Sequence, residues 1–162
     1  YIFNTSISSV EESHLCLLIG SDPKIEAPIL NARIRKTMVN SENFYPIGRI
    51  GYPSKLNYNV QELGSTPDVL EHLINGKHSF SKVLKKSIKP LYIIGQGALC
   101  RGDSEKIFNS AKKLYLSHKR HNDWNGFNIL QTYAGRVGAL DLEFYSENIL
   151  KKENNLNICH LC

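Results

Sequence analysis

Two short apolar runs that each end in a glycine constrain the fold of this chain most strongly. One run extends from His14 to Gly20, and the other from Leu91 to Gly95. Continuous apolar segments of this length are typical of strands that are buried on both faces of a parallel sheet. Segments with helical spacing lie between and after them. Strands that alternate with helices in this way predict a layered α/β fold with a parallel sheet.

Residues 1-51 are predicted to form a first strand–helix–strand unit. Ser21 or Asp22 can cap a helix, and Pro23 suits the first turn of that helix. The segment from Phe44 to Ile50 is the next predicted strand, and its Pro46 indicates an irregular or edge position. Five apolar residues recur at helical spacing and are expected on one face of the helix, namely Ile25, Ile29, Leu30, Ile34 and Met38.

The remaining segments continue this alternation, and residues 89-142 are predicted to form a second α/β unit. The predicted segments are a loop from Gly51 to Pro67, helices from Pro67 to Ile74 and Ser79 to Ile88, and a glycine turn from Gln96 to Leu99. After them follow a helix that is capped by Asp103 or Ser104 and ends at about His118, a helix from Phe127 to Leu142, and a strand from Leu156 to Cys162. We expect a single α/β region over 1-162. It is expected to be incomplete without a larger parent, because open sheet edges are a liability in isolation.

Composition and charge exclude some classes of function. The chain of 162 residues is 41% hydrophobic, which suits one packed domain. Its net charge is +5, but acidic residues are interspersed among the lysines and arginines, so we expect no nucleic-acid partner. No apolar run approaches the roughly 20 residues that cross a bilayer, so we expect no direct membrane insertion. Four cysteines without a disulfide pattern favour a reducing compartment.

Few residues suggest chemistry. The glycine turns after the two apolar runs occupy positions where α/β sheets bind nucleotides, but neither turn has a GxGxxG or P-loop pattern. Asp22 would also repel a pyrophosphate at the first turn. Cys159 and Cys162 form a single CxxC pair without a second pair, and their role stays open. The residues therefore predict no catalytic, cofactor-binding or metal site in this chain.

Two regions resemble the large iron–sulfur subunit of respiratory complex I. In the first, Asn4 to Glu12 is followed by the apolar strand and then by the run Glu26-Ala-Pro-Ile-Leu-Asn-Ala-Arg-Ile-Arg-Lys36. The second consists of Asp123-Trp-Asn-Gly-Phe-Asn-Ile-Leu130 and Arg136-Val-Gly-Ala-Leu-Asp-Leu142. Shorter matches in the same order connect the two, so the resemblance covers essentially the whole chain.

The resemblance implies a Rossmann-like layered sheet similar to a molybdopterin-oxidoreductase domain. In that family this region generally holds no molybdenum cofactor and is built into the hydrophilic arm of NADH:ubiquinone oxidoreductase. It also implies that iron–sulfur clusters lie in an N-terminal part of the parent subunit. This chain contains no positions that match the cluster ligands, so none are assigned to it. The implied partners are other hydrophilic-arm subunits and that cluster-bearing part. The implied location is the matrix side of the mitochondrial inner membrane or the cytoplasmic side of a bacterial one.

A structural, non-catalytic role within that oxidoreductase is therefore the preferred hypothesis. Six polar or aromatic residues in the most family-like segments are predicted to make internal or intersubunit contacts, namely Asn31, Arg33, Arg35, Trp124, Asn128 and Arg136. Two alternatives remain open at this point. One is a fragment of a genuine molybdopterin-dependent oxidoreductase, and the other is a free nucleotide-binding module.

Overall fold

The computed structural model describes residues 1–41, 44–119 and 123–144. The chain divides into two compact units, Tyr1–Thr132 and Tyr133–Cys162. The division into predicted domains stays a prediction. In the second unit the described residues form one short helix, α7 (Arg136–Asp141). The segment predicted as a strand from Leu156 to Cys162, with its cysteine pair, lies outside the described residues.

The first unit is built on a parallel sheet, as the apolar runs predict. Its described strands are β1 (Leu15–Ile19), β2 (Ile47–Ile50), β3 (Gln61–Gly64), β4 (Pro90–Ile94) and β5 (Phe127–Ile129), in the spatial order β3-β2-β1-β4-β5. Its helices are α1 (Pro23–Glu26), α2 (Pro28–Asn40), α3 (Asp68–Ile74), α4 (Phe80–Lys86), α5 (Gln96–Leu99) and α6 (Ser104–His118), and a 3₁₀ turn (Ser8–Glu12) precedes β1. The α/β fold class is therefore confirmed.

The central strand β1 pairs with β2 on one side and with β4 on the other. Cys16 is in register with Ile47 of β2 and with Leu91 of β4. Every residue of β1 and β4 is buried, which confirms the prediction of strands covered on both faces. The chain order along the sheet reverses between β1 and β4. In parallel α/β sheets, the crevice outside the carboxyl ends of the strands at such a reversal is where ligands bind.

Alternate residues of β1 supply the cores of the two layers, because successive side chains of a strand point to opposite faces. Leu15, Leu17 and Ile19 belong to the apolar cluster that includes residues of α3, α4 and α6. Cys16 and Leu18 belong to a second cluster, which includes residues of α2 and the loop between β2 and β3. The sheet is thus covered on both faces, and this coverage explains why its inner strands carry hardly any polar residue.

The N-terminal segment packs along β5. Phe3 forms an antiparallel bridge with Asn128, and the amide of Ile129 donates to the carbonyl of Ile2 at 3.1 Å. This pairing occupies hydrogen-bonding groups of β5 that an edge strand would otherwise expose.

Three predicted elements differ in the structure. The segment from Phe127 to Leu142 is not one helix, because its first residues pair with Tyr92 to Ile94 as β5 and helix α7 begins only at Arg136. The predicted loop from Gly51 to Pro67 contains β3. Pro46 predicts that the second strand is irregular or at an edge. β2 is not an edge strand, since it lies between β3 and β1, but its pairing with β3 is irregular between Arg49 and Ile50. Pro46 precedes the strand, and its carbonyl accepts the amide of Cys16.

Two further details of the predicted elements are corrected. Gln96 to Leu99 forms the short helix α5 in place of a tight turn. The first predicted helix consists of α1 and α2, and Ile25 and Ile29 do not join its buried face. No helix within the described ranges combines the length and the apolar character that a membrane span requires.

Candidate functional site

A cleft of about 440 Å³ lies at the carboxyl ends of the strands. Residues that follow β1, β2, β3 and β4 contribute to it. Its lining includes Gly20, Ser21, Asp22, Glu26, Arg49, Gly51, Ser54, Thr66, Gly97 and Arg101. This is the place where a parallel sheet would hold a nucleotide-like ligand, so its geometry decides whether such a ligand fits.

The glycines of the two predicted turns are explained by the close approach of the turns to each other. A Cβ atom on Gly95 would lie 2.5 Å from the carbonyl oxygen of Gly20, and one on Gly97 would lie 2.7 Å from the same oxygen. Gly20 itself has a φ of +56°, in the left-handed region that side chains rarely adopt. The glycines are therefore required by backbone packing, whether or not a ligand is present.

Carboxylates line the mouth of the cleft. Of the two predicted caps, Asp22 is the one that caps α1, because its Oδ1 accepts the amide of Lys24 at 3.1 Å. Glu26 accepts the hydroxyl of Ser21 at 3.0 Å through its Oε2. Both groups are engaged in local hydrogen bonds, and both would oppose an anionic ligand electrostatically.

The two arginines of the cleft are already neutralised. Arg49 on β2 is buried, with 3% of its side chain exposed, and forms an ion pair with Glu62 on the neighbouring strand β3. Its guanidinium also donates to the hydroxyl and the carbonyl of Ser54, each at 2.7 Å. Arg101 pairs with Asp103 at 2.7 Å and holds the pKa of that carboxyl below its usual range.

These residues do not fit a pyrophosphate or a pterin with phosphate groups. A dianionic group in the cleft would face Asp22 and Glu26, and it would have to compete with Glu62 for Arg49. The described residues contain no group of three or more His, Cys, Asp or Glu side chains that could hold a metal ion.

Two of the six predicted contact residues are brought together around β4 and β5. Asn128 is fully buried; its Oδ1 accepts the amide of Thr5 at 2.8 Å, and its Nδ2 donates to the carbonyl of Tyr92 at 3.2 Å. Trp124 donates through Nε1 to the carbonyl of Pro90 at 2.8 Å, and its ring lies under the ammonium group of Lys89. Both side chains therefore make internal contacts.

Three of the predicted contact residues lie on α2 and face different surroundings. Asn31 is buried and accepts the hydroxyl of Tyr58 at 2.8 Å. Arg33 and Lys36 both form ion pairs with Glu11. Their hydrogen bonds, that of Lys36 having the larger effect, hold the pKa of Glu11 below its usual value of 4.5. Arg35 is exposed and has no hydrogen bond or ion pair within the described part of the chain.

Arg136, the sixth predicted contact residue, lies on α7 in the second unit. It is exposed, and it has an interaction partner. The role of all six residues in contacts with other subunits stays a prediction.

Sequence reasoning missed the ion pair between the buried Arg49 and the exposed Glu62. The two residues lie thirteen positions apart, and Glu62 belongs to a strand hidden in a segment rich in Tyr, Asn and Gly. An arginine inside a short apolar run was the available signal, since a buried charge requires a partner. Thr5 was missed as well, because nothing local to it indicates a bond to a residue 123 positions away.

The topology and the cleft define a doubly wound α/β domain, and the sequence comparison assigns its family. The sequence model of the molybdopterin oxidoreductase family matches residues 1–161. The chain therefore belongs to the molybdopterin oxidoreductase family. This family agrees with the fold that the resemblance implies.

More specific similarity is found to subunits of one oxidoreductase complex. The chain is 44% identical over 155 residues to the NADH-ubiquinone oxidoreductase 75 kDa subunit of Reclinomonas americana, covering 92% of this chain and 22% of that protein. It is 39% identical over 145 residues to a subunit of the NADH-quinone oxidoreductase of Rickettsia conorii, covering 89% of this chain and 21% of that protein. It is 38% identical over 149 residues to the mitochondrial NADH dehydrogenase (ubiquinone) iron-sulfur protein 1 of Solanum tuberosum, covering 91% of this chain and 20% of that protein. The chain thus spans about a fifth of the length of these curated relatives.

Proposed function

We propose that this chain is a structural, cofactor-free part of the large iron–sulfur subunit of NADH:ubiquinone oxidoreductase. Its role is to fix the relative positions of the cluster-bearing part of the subunit and the neighbouring subunits, so that electrons pass from NADH towards quinone through the assembly. The observation that carries the proposal is the similarity to three such subunits, each over about nine-tenths of this chain. The alternative of a free nucleotide-binding module is not favoured by these relatives.

The geometry of the cleft supports the cofactor-free role. The turns after β1 and β4 pack backbone against backbone, and the cleft presents two carboxylates and two arginines that are already paired. The chemistry of the assembly then belongs to iron–sulfur clusters in the N-terminal part of the parent subunit. A fragment of a genuine molybdopterin enzyme would need cations free to bind phosphate at this place.

The partners of the chain follow from the same proposal. They are the cluster-bearing part of the large subunit and other subunits of the hydrophilic arm. The assembly lies at the mitochondrial inner membrane on the matrix side, or at the cytoplasmic side of a bacterial inner membrane. The buried Trp124 and Asn128 fix the shape of the domain, and the residues of α2 supply contact surface.

Isolation of the native assembly tests the proposal. The chain is tagged in its own cells, purified under non-denaturing conditions, and its partners are identified by mass spectrometry. The expected result is co-purification with the cluster-bearing polypeptide and with NADH:quinone oxidoreductase activity. Recovery of the chain without any subunit of such a complex would overturn the proposal.

A further inference from the structure

We draw no further inference here: the strongest candidate, the apolar groove beside Phe44 and Ile88 at the amino ends of β1, β2 and β4, carries none, because nothing in the described part of the chain shows what covers it.

Discussion

Asn128 connects three parts of the first unit with one buried side chain. It accepts the amide of Thr5, donates to the hydroxyl of Thr5 at 3.0 Å, and donates to the carbonyl of Tyr92. The N-terminal segment is thereby attached to β4 through β5. A polar side chain at 0% exposure is tolerated in this core because all its hydrogen-bonding groups are used.

Replacement of Asn128 by alanine is expected to destabilise the chain by about 2–3 kcal/mol, because the buried amide of Thr5 and the carbonyl of Tyr92 lose a partner. The free energy of unfolding is measured by urea denaturation. Asn59→Ala is the control at an exposed loop position and should change stability by less than about 0.5 kcal/mol. Equal effects of the two substitutions would contradict this role of the Asn128 side chain.

Glu11 provides a pH-dependent contact between the 3₁₀ turn and α2. Lys36 and Arg33 lower its pKa below the usual value of 4.5, so the carboxylate contributes stability above that pH. The contribution is lost as the pH falls below 4.5 through the lowered pKa of the folded state, because the unfolded chain binds the proton first.

Glu11→Gln is therefore expected to be less stable than the unsubstituted chain at pH 7, and the difference should disappear towards pH 3. Chemical denaturation at a series of pH values measures it. Glu105→Gln serves as the comparison, since Glu105 is exposed and has no ion pair among the residues that the structure describes. A difference for Glu11→Gln that stays constant down to pH 3 would exclude this ion pair as its source.

At the scale of the element, the turns after β1 and β4 depend on the absence of side chains. Gly97 approaches the carbonyl of Gly20 so closely that a methyl group must displace backbone. Such overpacking costs about 1–3 kcal/mol. Gly102, in contrast, has no atom within 4 Å of the position of an added Cβ.

Gly97→Ala should accordingly lower the free energy of unfolding by about 1–3 kcal/mol. Gly102→Ala should leave it unchanged or raise it by up to about 1 kcal/mol, since alanine restricts the unfolded chain. Thermal and urea unfolding of both variants provide the comparison. If Gly97→Ala were as stable as the unsubstituted chain, the close contact between the two turns would not be the reason for the glycine at this position.

The elements also show how far the sequence predicts this fold. The strands β1 and β4 are predictable because both of their faces are buried, which makes their sequences apolar throughout. β3 was missed because two of its four residues are exposed, so its composition resembles a loop. The apolar residues at β5 also fit a helical spacing, and only the pairing of this segment with β4 shows that it is a strand.

The candidate site is less predictable from the sequence than the fold. The turns at Gly20 and Gly95 and the cap at Asp22 depend on local sequence and can be located from it. The neutralisation of Arg49 by Glu62 depends on the pairing of two strands, which no local pattern reveals. Ile29 was expected in the core, but it lies one residue before Leu30 and five before Ile34, so it falls outside the helix face that those two residues bury.

At the scale of the whole molecule, the first unit is a doubly wound parallel sheet whose cleft lies at the carboxyl ends of its strands, where the turns after β1 and β4 approach each other closely. Both arginines that line the cleft are paired with carboxylates, Arg49 with Glu62 and Arg101 with Asp103. Under the proposed function, this domain positions other parts of an assembly without taking part in their chemistry.

Elemental and pterin analysis across a native fractionation of the membranes tests this claim most directly. We expect the chain to peak together with NADH dehydrogenase activity and iron, and molybdenum, tungsten and pterin to remain far below one per chain in those fractions. A peak in which the chain carries one pterin and one molybdenum or tungsten atom, separate from NADH dehydrogenase activity, would contradict the claim.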